Sequence, residues 1–190
     1  MPSISKNRYA GRVMQAATLT VLMVAGHAAS ADAGCDDVPT LMTEAANKAQ
    51  IHCALSRARA SSSARAISIV ETEPELDAVS FAINFEFGSA VLTPASQALL
   101  SKVAEVIAED EALRESAFFI DGHTDAVGAS QDNQVLGQER AAAAASYLLS
   151  DVDFALSLRV RSFGEDRLLD PADPNSARNR RVEITPVAVE

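Results

Sequence analysis

A chain of 190 residues with no tryptophan has room for one ordinary domain plus attachments, its core resting on aliphatics, alanine and seven phenylalanines. Sixteen Lys and Arg stand against 26 Asp and Glu, a formal net charge of −10. That balance argues against nucleic acid and anionic membrane surfaces as partners, because both attract clustered cations.

The first stretch reads as a secretory signal. Lys6, Arg8 and Arg12 form a basic region without acids, and Val13 to Gly26 is mostly apolar. Ala28-Ala29-Ser30-Ala31-Asp32-Ala33 then offers small residues for cleavage after Ala31 or Ala33. The apolar run falls short of the about 20 residues a membrane helix needs, so residues 1–31 are expected to be a cleaved signal peptide. Their removal deletes three basic residues and no acid, taking the net charge from −10 to −13. Export brings Cys35 and Cys53 into an oxidising compartment, which allows a disulfide between them. Cys35 is alternatively the acylated cysteine of a lipoprotein. Ala33 and Gly34 suit that role, but Asp32 stands where such a site carries an apolar residue, usually Leu.

Residues 32–65 read as a helical segment and linker. Asp36 or Asp37 can cap, Pro39 suits a first turn, and Met42, Ala45, Ala46, Ala49 and Cys53 fall near one face, which predicts a helix over 36–58. The small, polar run Arg57 to Arg65 reads as the linker. One straight helix over 38–53 would separate its ends by about 22 Å, whereas bridged cysteines need Cα atoms about 4.4–6.8 Å apart. A Cys35–Cys53 bridge therefore requires a break, near Asn47-Lys48. A small exported segment with little core of its own favours that bridge over an intermolecular one, acylation or free thiols.

Residues 66–190 carry clear periods. Val79, Phe81, Ile83, Phe85 and Phe87 alternate with polar or small residues as a half-buried strand. Thr93 before Pro94 marks a helix start, and Leu99, Leu100, Val103, Ala104 and Ile107 form its buried stripe. Phe118-Phe119-Ile120 reads as a second strand, and an alanine-rich helix is predicted from about 130 to 149. Leu158, Val160 and Ser162 mark a third strand, Val182 and Ile184 a last one. Helices alternating with strands predict an α/β sandwich, with helices on one face of a small sheet.

The densest polar cluster is Asp121-Gly122-His123-Thr124-Asp125-Ala126-Val127-Gly128, at a passage from strand to helix, where ligands favour the rigidly held loops. Asn133 follows near the helix start, and Arg140 lies fifteen positions after Asp125. Enzyme signatures are missing: the sequence holds no HExxH, paired CxxC, GxSxG or glycine-rich phosphate loop. His123 is the only histidine of residues 66–190 and reads as a hydrogen-bonded structural residue. Taken alone, Asp125 would be a helix cap or Asx-turn, and Arg140 a solvated helix residue.

The register of these pieces resembles the signature of the OmpA-like C-terminal domain family. Gly122-His123-Thr124-Asp125, Gly128, Asn133, Leu136 and Arg140-Ala141 carry the resemblance. Phe85 to Leu92 upstream, and Gly164-Glu165 and Asn179-Arg180-Arg181-Val182-Glu183 downstream, extend it over roughly residues 79–187. The family implies a β/α/β/α/β-β sandwich with a small mixed sheet, and non-covalent binding of diaminopimelate in peptidoglycan stem peptides. It implies no enzyme activity and no cofactor. Carried over by motif, Asp125 and Arg140 are the central pair, with Thr124, Asn133, Leu136, Arg180 and the backbone near Phe87-Gly88 around them.

The chemistry suits that ligand: a carboxylate holds the free ammonium of diaminopimelate, and a guanidinium holds its free carboxylate through two parallel bonds. The expected place is the periplasm, with outer-membrane association open. One departure is Gly137, where the family usually has Ser. Glycine in a helix interior costs about 1 kcal/mol relative to alanine, so the first turns are expected to be weakened. An alternative function is that of a periplasmic adaptor, holding envelope protein partners through this domain and the N-terminal helix.

Overall fold

The computed structural model describes residues 35, 38–65, 77–86 and 89–188. The expected signal peptide, the start of the second part before residue 77, and the candidate site residues Phe87 and Gly88 lie outside the described residues.

Nine elements follow in order: β1 (Leu41–Met42), α1 (Lys48–Arg65), β2 (Val79–Phe81), α2 (Pro94–Glu109), α3 (Glu111–Arg114), β3 (Ala117–His123), α4 (Ser130–Asp151), β4 (Ser157–Gly164) and β5 (Arg181–Val187). A 3-10 turn over Ala177–Asn179 precedes β5. The strands form one mixed sheet in the order β1-β2-β5-β3-β4. β1 runs parallel to β2 and β3 parallel to β4, while β5 is antiparallel to both β2 and β3. The pair β3 and β4 requires a crossover, which α4 supplies. The α/β fold with helices against a small mixed sheet is therefore as the sequence periods and the resemblance imply.

Alternation sorts the strand residues. Val79, Phe81, Phe118, Ile120, Val182 and Ile184 face one core with Leu99, Leu100, Val103 and Ile107 of α2 and Ala141, Ala144 and Leu148 of α4. Helix α2 starts as its sequence dictates: Thr93 Oγ1 accepts from the Ser96 amide (3.3 Å) and Pro94 fills the first turn.

Two expectations need correction. The strand expected over 79–87 stops at Phe81: Ala82 N–H still donates to Met42 O (2.8 Å) in the pairing with β1, but Ile83 N–H folds back onto Phe81 O (2.9 Å). The helix expected over 36–58 begins only at Lys48, and the residues taken for a linker belong to it. Asn47 and Gln50 set that start by a reciprocal capping box: Gln50 N–H donates to Asn47 Oδ1 (2.9 Å), and Asn47 N–H to Gln50 Oε1 (3.1 Å). Upstream the chain is extended enough to form β1, and Lys102 Nζ anchors the intervening turn through Glu44 O (2.7 Å) and Ala46 O (3.0 Å). Because the helix starts late, Cys35 and Cys53 come within a Cα separation of 5.5 Å and are joined by a disulfide. Residues 38–65 are thus part of the same compact unit, Ala31–Glu190, with Met42, Ile51, Leu55 and Ala58 in the common core.

Gly137 has a packing reason. It lies where α4 crosses β3 at Gly122, and a Cβ on Gly122 would run into the Gly137 carbonyl. A Cβ on Gly137 would strike Ser162 Oγ, which donates to Gln134 O (2.8 Å). Glycine here permits a close helix–sheet approach, and β4 supplies a hydroxyl to the helix carbonyls at that place.

Candidate functional site

The loop 124–129, the turn after β2, the first turns of α4 and the residue before β5 meet at the carboxyl end of β3. They enclose an open cleft of about 530 Å³. Of the residues expected at the site, Asp125, Asn133, Leu136, Arg140 and Arg180 line it together. Asn133, Leu136 and Arg140 do so because spacings of three and four place them on one face of α4.

Thr124 is placed differently. It is buried, its N–H donates to Gly164 O (2.8 Å), and it does not line the cleft. Its hydroxyl is buried with no hydrogen-bond partner among the described residues.

The loop is held from within. Asn133 Nδ2 lies in donor range of Asp125 O (3.3 Å), Val127 O (3.2 Å) and Glu165 Oε2 (2.5 Å). Ala126 N–H donates to Pro174 O (3.0 Å), tying this loop to the segment before β5. Asn179 orders that segment: its Nδ2 donates to Asp173 O and Pro174 O (3.0 Å each), and its Oδ1 accepts from Asp170 N–H (2.8 Å). Arg180 follows directly and donates through Nη1 to Asp125 Oδ2 (2.8 Å). Asp125 Oδ1 accepts only a long bond from Val127 N–H (3.4 Å).

Arg140 is held otherwise. Its Nε is buried without a hydrogen-bond partner among the described residues. Its guanidinium carbon sits 5.1 Å from the centroid of the Phe85 ring. Burial pushes the Arg140 pKa down from its ordinary value, the nearby charge of Arg180 adds to that, and Asp125 opposes both. Guanidinium stays protonated in proteins regardless, so the cations Arg140 and Arg180 line the cleft with the carboxylates Asp125 and Glu86. A carboxylate entering beside Arg140 would relieve its desolvation and meet a planar set of donors.

Sequence reasoning missed the side chains of Phe85 and Glu86, which also line the cleft. Phe85 sat in an alternating apolar pattern that signals core packing and says nothing of a cation above the ring. Glu165 was noted only as part of a motif, and its bond to Asn133 has no sequence signal. Among the described residues no group of three or more His, Cys, Asp or Glu could hold a metal ion. No helix among them is long and apolar enough to cross a membrane.

Comparison with known proteins bears on this arrangement. The chain is 34% identical over 111 residues to the probable lipoprotein YiaD of Escherichia coli K12, covering 54% of this chain and 47% of that protein. It therefore spans about half the length of this curated relative. The periplasmic domain of Helicobacter pylori MotB superposes with a TM-score of 0.52 at 19% identity, covering 60% of this chain and 74% of that one, a likeness of fold. The peptidoglycan-associated lipoprotein of Burkholderia pseudomallei aligns at 29% identity with a TM-score of 0.44, covering 56% of this chain and 88% of that one. The OmpA family model matches residues 84–181, just over half of the chain, including Asp125, Asn133, Leu136, Arg140 and Arg180 of the cleft, and the chain belongs to the OmpA family.

Proposed function

We propose that the cleft binds the diaminopimelate of peptidoglycan stem peptides in the periplasm, and that the protein thereby helps attach the cell envelope to the cell wall. Membership of the OmpA family supports a wall-binding role. The observation that carries the ligand assignment is the Arg140 guanidinium, desolvated in the cleft with no acceptor at Nε among the described residues and with Asp125 lining the same cleft. Diaminopimelate presents an ammonium and a carboxylate on one side-chain end, and these two residues offer the complementary charges. Asp125 is engaged by Arg180 through one oxygen only, and a carboxylate has about four lone-pair sites, so an ammonium can be added without displacing Arg180. The binding breaks no bond and needs no nucleophile, general acid or base.

Sedimentation of the protein with purified sacculi of diaminopimelate type tests this. Asp125→Ala and Arg140→Ala are each expected to abolish measurable retention while leaving the circular dichroism spectrum unchanged. Truncating one partner of a desolvated charge pair costs about 2–5 kcal/mol, enough to hide a weak ligand. Lysine-type fragments, which lack the carboxylate that Arg140 would read, are expected to bind far more weakly. Retention of either variant at the wild-type level removes the site from its assigned role.

A further inference from the structure

Arg140 raises a physical question that its charge partners leave open. A long side chain with about 2 kcal/mol of rotamer entropy reads a carboxylate well only if its fork is held in place beforehand. Among the described residues no hydrogen bond or ion pair holds it, and its Nε is buried without an acceptor. The contact that does meet the guanidinium is the Phe85 ring, at 5.1 Å, within the about 6 Å over which a cation is attracted to an aromatic face.

That ring is itself fixed by its surroundings. Phe85 forms an antiparallel bridge with Leu92, which is buried in the core. Glu86 N–H donates to Val91 O (2.8 Å) and Thr93 N–H to Asn84 O (3.2 Å), closing a hairpin around the ring. Asn84 N–H donates to Ser96 Oγ (2.7 Å), which anchors the hairpin to the first turn of α2. Phe85 is half-buried and packs against the core on one side. It is thus a shelf set by the β2–α2 connection, with a helix residue of α4 resting on it.

We propose that Phe85 is a positioning residue: its ring face holds the Arg140 guanidinium across the cleft so that the free N–H edge meets a ligand carboxylate. The identity of that carboxylate as diaminopimelate rests on the reading above, but the contact between the two side chains does not. Phe85 then acts on specificity. It strengthens the binding of ligands that carry the distal carboxylate and leaves those without it largely unaffected. Desolvation of Arg140 strengthens the attraction to the ring, since a cation–aromatic contact is worth more away from water.

The test uses the mature full chain and three replacements at one position. Phe85→Met keeps an apolar side chain of adaptable shape but has no ring face, Phe85→Tyr keeps the face, and a ring-fluorinated phenylalanine keeps the shape while weakening the face. Two quantities are read: calorimetric affinity for diaminopimelate-type and lysine-type muropeptides, and proton exchange of the Arg140 Nε–H by NMR. Phe85→Met and the fluorinated variant are expected to lose about 2- to 30-fold in affinity for the diaminopimelate probe only, with faster Nε–H exchange. Phe85→Tyr is expected to behave as wild type. Should the methionine variant fail to fold, the fluorinated one decides alone. Equal losses for both probes, losses shared by Phe85→Tyr, or exchange unchanged in the ring-weakened variants would overturn the proposal. If wild type binds neither muropeptide, the ligand assignment fails, and the exchange comparison by itself still decides the role of Phe85.

Discussion

Glu183 lies on the sheet face turned away from the helices, since its neighbours Val182 and Ile184 point into the core. It accepts from Arg181 Nε (2.9 Å) and Nη2 (2.7 Å) and from Ser80 Oγ (3.0 Å). His123 Nε2 lies 3.4 Å from its other oxygen, at ion-pair distance but outside hydrogen-bond geometry. The same His123 ring stacks on Phe163, with centroids 5.4 Å apart. The hydrogen-bonded role expected for His123 is not what the structure has: both ring nitrogens are without a hydrogen-bond partner among the described residues, and the buried ring is held by stacking. Burial pushes the Glu183 carboxyl up, but His123 and Arg181 outweigh it and hold the carboxyl at about 2, down from 4.5. A depressed folded-state pKa stabilises the fold above the unfolded-state value, and that stability is lost as pH falls from 4.5 to about 2. At about 1.4 kcal/mol per pK unit the shift sets a ceiling of about 3 kcal/mol on that acid-sensitive stability. Urea unfolding as a function of pH is expected to show that acid limb. Glu183→Gln is expected to be less stable at pH 7 by up to that amount and flatter over that range. A variant curve falling as steeply as wild type would place the acid sensitivity elsewhere.

At the scale of elements, β1 and α1 depend on a staple. The bridge between Cys35 and Cys53, 18 positions apart, closes the extended stretch that carries β1 back onto α1. A loop of this size stabilises by about 3 kcal/mol when closed. Cys53→Ser is therefore expected to lower the unfolding free energy by about 2–4 kcal/mol and to hasten amide exchange in residues 38–47 first; equal stability with and without reductant would show that the bridge is dispensable. The same segment shows why some elements were legible in the sequence and others not. β3, α2, α4, β4 and β5 announced themselves because each buries a regular stripe against one core. The start of α1 is half legible: Asp36, Asp37 and Pro39 imitate a helix entry, whereas the reach of a Cys35–Cys53 bridge points to a break near Asn47-Lys48, where the capping box of Asn47 and Gln50 does set the start. Its serine-rich end looked like a linker. There Ser61 and Ser62 bond back to the carbonyls of Ala58 (2.9 Å) and Arg59 (2.8 Å), and Arg59 Nε reaches Ser116 Oγ (2.9 Å). The Ser61 and Ser62 bonds are local, whereas the tie of Arg59 to Ser116 and that of Ala188 N–H to Ser62 Oγ (3.4 Å) are tertiary; they override a poor helix propensity and leave no local trace.

For the whole molecule, the motif register led to one cleft because Asp125, Asn133, Leu136, Arg140 and Arg180 are brought there by the β3–α4 loop, the first turns of α4 and the β4–β5 connection. It did not reveal that Thr124 turns under the loop, nor that Phe85 lies beneath Arg140, since both depend on how loops pack rather than on spacing. Nor did it reveal where the folding unit begins. The match to the family spans residues 84–181, yet Met42, Ile51 and Leu55 are wholly buried in the shared core, and β1 covers the outer side of β2. Each such side chain stabilises by about 1.5–3 kcal/mol when fully buried, so three of them together rival the about 5–15 kcal/mol by which whole domains are stable. Their loss would also bare β2 as an edge strand with unpaired backbone groups. A fragment of residues 77–190 is accordingly expected to bind a hydrophobic dye, lose cooperative thermal unfolding and aggregate, whereas residues 35–190 unfold in one transition. Should the shorter fragment melt cooperatively within a few degrees of the longer one, β1 and α1 would be an attachment to the domain rather than part of its core.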